Sequence, residues 1–182
     1  MKTTKKEKLA IVKRGDFAYN YINKDGKLLL KEWFRYLSCF YNGFAVVKRA
    51  NCEWNFIDTK GKILSNEWFK SVDYFNNDGF ARVQRTNDEW NFIDKKGNYL
   101  SDEWFYNVYS FKGGFARVQR IDKKYNFINK QGKLLSEQWF DWVGIFYDGF
   151  AKVKRSDYLW NFITKDGKII SDEWFKSVED FQ

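Results

Sequence analysis

The chain has 182 residues, 44% of them hydrophobic and 21% aromatic, which is enough for a folded core and excludes a disordered chain. Its formal net charge of +8 favours solubility and weak attraction to anionic surfaces. Histidine is absent, which removes the commonest metal ligand and general base, and the two cysteines, Cys39 and Cys52, hold unrelated positions and make no disulfide framework.

Residues 1–8, with four Lys against one Glu, read as a flexible basic N-terminal tail. Residues 9–182 read as a single repeat domain, in units 9–43, 44–79, 80–114, 115–149 and 150–182. The period is about 35 residues, in the range of solenoids, propellers and other arrays. Its clearest marks are Trp54-Asn55-Phe56-Ile57, Trp90-Asn91-Phe92-Ile93, Tyr125-Asn126-Phe127-Ile128 and Trp160-Asn161-Phe162-Ile163, with a weaker copy at Tyr19-Asn20-Tyr21-Ile22. A glycine closes each: Gly26, Gly61, Gly97, Gly132 and Gly167.

Each unit opens on a segment such as Phe80 to Arg85, where small or branched apolar residues alternate with polar ones, the period of a half-buried strand. A polar turn, Thr86 to Glu89, leads into a second strand, Trp90 to Asp94, so the pair reads as a hairpin. Asn42-Gly43, Asp78-Gly79, Gly113-Gly114 and Asp148-Gly149 precede the next Phe-Ala and suit positive φ in tight turns. They predict a further pairing, between the Phe-Ala strand and the segment before it. That segment, such as Ser101 to Phe111, is expected to be extended with at most one helical turn at its start.

The nine Trp, eleven Tyr and nineteen Phe mostly occupy six positions in register, which in the third unit are Phe80, Trp90, Phe92, Trp104, Phe105 and Phe111. Rings that return at a fixed interval are core material, because each buries a large area. A shared Arg and Glu, such as Arg85 and Glu103, reads as a ladder of ion pairs between neighbouring units rather than as catalytic machinery. The repeated Asn is expected to stack along the array or to satisfy turn carbonyls.

The pattern Trp-x-Phe-Ile-Asp-Lys-x-Gly, followed by Phe-x-x-Gly-Phe-Ala-x-Val, resembles the WG (KWG) repeat, common in bacterial and phage-type proteins. The resemblance spans residues 9–182, with two departures: Asn20, Asn55, Asn91, Asn126 and Asn161 stand where the family usually has Gly, and proline is absent. It implies an all-β repeat with a binding role and no cofactor. An open, solenoid-like stack of five hairpin units is expected ahead of a five-bladed propeller-like ring, since 35 residues are few for four full strands.

Function is expected where the copies differ. Seven rings out of register share one segment of their units: Tyr36, Tyr41, Tyr74, Tyr106, Tyr109, Trp142 and Tyr147. They form a candidate aromatic flank for a protein partner. Arg82, Arg117 and Lys152, on the supposed outward parity of the Phe-Ala strand, form a candidate basic row. The expected function is a non-enzymatic protein-protein interaction module in the cytoplasm, with glycan or polyanion (nucleic acid) binding as the second reading. No metal, cofactor or membrane partner is implied, and homo-oligomers through the array ends are consistent with exposed strand edges.

Overall fold

The computed structural model describes residues 8–181, so the expected tail lies, apart from Lys8, outside the described residues. Among the described residues the fold is all-β, with five small sheets in tandem and none closed into a barrel. The chain divides into two compact units, Met1–Asn87 with Ile93–Asn98, and Asp88–Phe92 with Tyr99–Gln182.

The strands are β1 (Leu9–Lys13), β2 (Tyr19–Asn23), β3 (Tyr36–Leu37), β4 (Phe44–Lys48), β5 (Trp54–Asp58), β6 (Ser71–Val72) and β7 (Phe80–Gln84) in the first half. They continue as β8 (Trp90–Asp94), β9 (Asn107–Val108), β10 (Phe115–Gln119), β11 (Tyr125–Asn129), β12 (Trp142–Val143), β13 (Phe150–Lys154) and β14 (Trp160–Thr164). The sheets are β1-β2, β3-β4-β5, β6-β7-β8, β9-β10-β11 and β12-β13-β14. Each three-stranded sheet takes its first strand from the end of the preceding sequence unit, so the chain laces one unit to the next. The expected pairing of the Phe-Ala strand with the segment before it is present, through turns such as Asn42 (φ 49) and Gly43 (φ 91). No helical turn forms in the segment after Ser101.

A fourth extended segment runs along the far edge of each hairpin through isolated bridges, such as Ile128 to Leu134 and Tyr125 to Phe140. The 35-residue period accommodates four segments because the outer two contribute only a few paired residues each.

The repeated Asn anchors that segment. In the fourth repeat, buried Asn126 donates from Nδ2 to the carbonyls of Ser136 (2.7 Å) and Gln138 (3.3 Å), while its Oδ1 accepts from Phe127 N at 2.8 Å. Asn20, Asn55, Asn91 and Asn161 donate to the carbonyls ten and twelve residues on. The amides therefore satisfy turn carbonyls, as one of the two sequence readings holds, and a Gly in their place would leave those acceptors buried and bare.

The turn between strand and fourth segment is closed by a side chain as well. Asp94 Oδ1 accepts from Lys96 N (2.8 Å) and Asn98 N (2.9 Å). Burial alone would push this carboxyl up, but the hydrogen bonds from Asn98, Lys96 and Gly97 outweigh it and hold it below the usual carboxylate range.

Packing alternates along the array. The β4–β5 hairpin turns Ala45, Val47 and Ile57 onto Tyr21, Leu30, Phe34 and Leu37 of the repeat before. Ala151, Val153 and Ile163 do the same to Phe127, Phe140, Val143 and Phe146. The opposite face is covered by a ring of its own repeat: Phe75 lies 4.9 Å from Phe56, and Phe146 lies 4.8 Å from Phe127. Both faces of the hairpin are thus packed, which is why Asn, Phe and Ile are buried in succession in β5, β8 and β11. The closing glycine meets the backbone of the preceding repeat. A Cβ on Gly132 would overlap the Leu100 carbonyl oxygen, and one on Gly97 would fall 2.7 Å from that of Leu64.

Three expectations follow. Gly132→Ala and Gly26→Ala share nearly the same left-handed φ (79 and 77), but a Cβ on Gly26 meets nothing within 4 Å. Chemical denaturation should show Gly26→Ala losing about 1–2 kcal/mol from backbone strain, and Gly132→Ala losing at least about 2 kcal/mol more from the clash. Equal losses would mean that the close approach is not maintained. Asn126→Ala should cost about 3 kcal/mol, because it strands two buried carbonyls. Because the native pKa of Asp94 lies below its unfolded value, its contribution is full above the ordinary carboxylate range and fades as pH falls through the native value. Asp94→Asn should therefore flatten the acid limb of the stability–pH curve relative to wild type.

Candidate binding groove in the C-terminal repeats

The split between shared and private rings is physical. The in-register rings Phe34, Phe56, Phe69, Phe92, Phe105, Phe127 and Phe140 are almost fully buried. Of the private rings, Tyr36, Tyr41, Tyr74, Tyr106, Trp142 and Tyr147 are exposed, Tyr147 most of all at 73%, and Tyr109 is half-buried.

In the N-terminal unit, Tyr36 stands across from Lys48 and sets its ring edge-on to Trp54 at 5.6 Å. A hydrogen bond with Tyr74, and then burial, raise the Tyr36 hydroxyl above its ordinary range. Tyr41 lies at the foot of the turn into β4, bridged to Phe44.

In the C-terminal unit the same row recurs with Trp142 across from Lys154 and edge-on to Trp160 at 5.4 Å. The Lys154 ammonium lies 5.1 Å from the Trp160 ring centre, matching Lys48 over Trp54 at 4.6 Å. Tyr109 packs on Tyr125 at 6.4 Å and lies under the Arg117 guanidinium at 4.6 Å. Trp142 and Tyr147 also line an open groove of about 420 Å³, with Gly144, Ile145, Lys152 and Phe162 among its walls. Gly144 keeps the groove open where Ser38, Asp73 and Tyr109 stand in other repeats.

The basic row requires a correction. Its residues do not project from a free outward face, because Arg117 and Lys152 lie directly across from Phe127 and Phe162, on the face that the aromatic rings cover. Each is half-buried and engaged. Arg82 pairs with Asp73, Arg117 donates to the Val143 carbonyl at 3.4 Å, and Lys152 pairs with Asp180 at 2.8 Å. Alternation along the Phe-Ala strand cannot reveal this, since the covering ring comes from about thirty residues away.

The expected ion pairs between neighbouring units are present in two copies, each Arg meeting the Glu of the preceding unit. Arg49 meets Glu32 at 3.5 Å and Arg85 meets Glu67 at 3.1 Å, while Arg120 and Arg155 turn to Asp122 and Asp157 in their own hairpins. Hydrogen bonds from those guanidiniums hold the Asp122 and Asp157 carboxyls below the usual range. The guanidinium carbon of Arg49 lies 3.6 Å from the ring centre of the shared Trp68, and that of Arg120 lies 4.4 Å from the ring centre of Trp139. Ile145 and Asp180 line the groove and were not singled out by sequence. The departure of Ile145 from Cys39, Tyr74 and Ser110 at its repeat position is the signal that was available.

The architecture defines a tandem β-repeat protein, and comparison with known families specifies it. The family described as WG containing repeat matches residues 21–51, 54–90, 90–125 and 127–160, and the chain belongs to that family. No curated protein matches. Among solved structures, the computationally designed Ika8 protein is similar with a TM-score of 0.39 and 14% identity, over 91% of this chain and 60% of that one. BamB from Moraxella catarrhalis gives 0.39 and 11% over 90% and 57%, and the WD40 β-propeller domain of Doa1 gives 0.36 and 10% over 90% and 64%. The chain thus spans about three-fifths of the length of these structures.

Proposed function

We propose that the protein is a non-enzymatic interaction module whose C-terminal repeats hold a protein partner on Tyr109, Trp142 and Tyr147. The observation that carries this reading is the split in exposure: the repeated rings Phe56, Phe92 and Phe127 are buried, whereas Trp142 and Tyr147 are exposed and Tyr109 is half-buried. Large amphipathic rings backed by other rings lose little side-chain entropy on binding, and such residues dominate protein interfaces. Trp142 and Tyr109 are braced in this way by Trp160 and Tyr125.

Two observations favour a protein over a polyanion. Arg82 and Lys152 already have carboxylate partners, so binding phosphates would first require breaking those pairs. The groove also mixes apolar walls with one acid and one base, Asp180 and Lys152, which suits a surface of mixed charge. Two of the recurrent acids have structural work, since the Glu32 and Glu67 carboxylates pair with Arg49 and Arg85 of the next repeat. That speaks for scaffold rather than catalysis.

The test is affinity capture from the native host with wild type and with the Trp142→Ala, Tyr109→Ala double variant. Both sites are partly exposed, so the melting temperature should change little. Recovery of the specific partner should drop by roughly tenfold or more. Undiminished recovery would overturn the reading, and loss of binding on Arg82→Glu with Lys152→Glu alone would favour a polyanion instead.

A further inference from the structure

Each junction between consecutive repeats has two sides. The leading side carries the fourth segment, its ring and a short strand. The trailing side carries the Ala, Val and Ile face of the next hairpin, the closing Gly and a Trp. Inside the chain the two sides are pressed together, as Phe34 against Trp68 (6.3 Å), the Leu64 carbonyl against Gly97, and β3 against β4.

The fifth repeat presents a leading side to solvent, and the first repeat presents a trailing side. Phe175 is 40% exposed, although its counterparts Phe69 and Phe140 are 0% exposed. Ile170, the counterpart of Leu64 and Leu135, is 44% exposed. Residues 177–178, which correspond to the short strands β3, β6, β9 and β12, are in no ladder among the described residues. On the other side, Ala10 is exposed where Ala45, Ala81, Ala116 and Ala151 are buried. A Cβ on Gly26 would meet open space where the same atom on Gly61, Gly97, Gly132 or Gly167 meets the preceding repeat. Among the described residues the β1-β2 sheet has two strands where the others have three.

We propose that the fifth-repeat face of one chain receives the first-repeat face of a second copy, reproducing the internal junction between two molecules. The internal registers Tyr36 to Lys48 and Trp142 to Lys154 place Ser177 across from Lys13 of the other copy. The internal bonds Asp141 N to Lys154 O and Gly144 N to Lys152 O become Lys176 N to Lys13 O and Glu179 N to Ile11 O. Phe175 stacks on Trp33, Ile170 closes over Gly26, and Glu173 meets Arg14 as Glu32 meets Arg49. The partner is argued from complementarity: the surface that fits each face is the one that this same chain carries at its other face. The two faces are different, so the contact is head-to-tail and a chain that uses one face still offers the other. Among the described residues β1 pairs with β2 alone, and a strand added on its other side covers an edge open to unspecific pairing.

The inference stands apart from the aromatic-flank reading, and its test spares Tyr109, Trp142 and Tyr147. Sedimentation of the purified chain over a wide concentration range should show mass rising beyond the monomer. Ile170→Asp, a change at an exposed site that leaves the monomer folded, should lower the association constant at least about tenfold, since it sets a charge against an apolar contact. In a Cys39→Ser, Cys52→Ser background, Lys13→Cys protein mixed with Ser177→Cys protein should give a disulfide-linked heterodimer on mild oxidation. Asp172→Cys in place of Ser177→Cys should not. A constant monomer mass at every concentration would overturn the proposal, as would association unaffected by Ile170→Asp or cross-linking no better from Ser177→Cys than from Asp172→Cys.

Discussion

The fold depends on one buried side-chain amide per repeat. Asn20, Asn55, Asn91, Asn126 and Asn161 are wholly shielded from solvent, and each donates to two carbonyls of the segment that returns along its strand. That segment has too few residues in register to hold itself by ladder bonds; its backbone contacts are isolated bridges. Without the amide, two buried acceptors would lose their donors, and the shared Trp and Phe carried by the segment would lose their seat. The departure from the family's usual Gly is therefore the residue that fixes the fourth segment.

From that anchor the repeat-to-repeat contacts follow. The fixed segment presents a Leu carbonyl at a set height, and the Gly of the next turn closes on it too tightly for any side chain. It also presents Phe34 and Phe140, which the next hairpin covers with small and branched residues. An Ala is required on that hairpin because a larger residue would hold the sheets apart, and interiors tolerate little extra volume. The ion pairs from Arg49 to Glu32 and from Arg85 to Glu67 lie at the partly exposed margin, where such pairs contribute modestly.

The candidate site is a by-product of the same geometry. The short strand that each repeat lends to the next carries one outward position against the sheet, and the chain fills it with Tyr36, Ser71, Asn107 and Trp142 in turn. Where it is a ring, the ring rests edge-on against the Trp of the following hairpin and beside a Lys. The scaffold thus supplies a rigid backing, and the variable residue supplies identity. This division explains how residues such as Tyr147, which brace nothing in the core, persist at high exposure beside a closely packed interior.

The repeat period, the hairpins, the Asn-Gly and Asp-Gly turns and the separation of buried from exposed rings were all legible in the chain, because each follows from local periodicity or from recurrence. What recurs is constrained by packing, and what varies is released from it. The supposed outward parity of Arg82, Arg117 and Lys152 failed because a two-residue alternation describes one sheet with one buried face. Here a ring from the end of the same repeat folds over the second face, a contact between residues about thirty apart. The Arg to Glu contacts between neighbouring units were legible in the same way, but recurrence does not show which copies meet. Local order belongs to the sequence; the choice of neighbour belongs to the tertiary structure, because only folding brings the end of one repeat beside the start of the next.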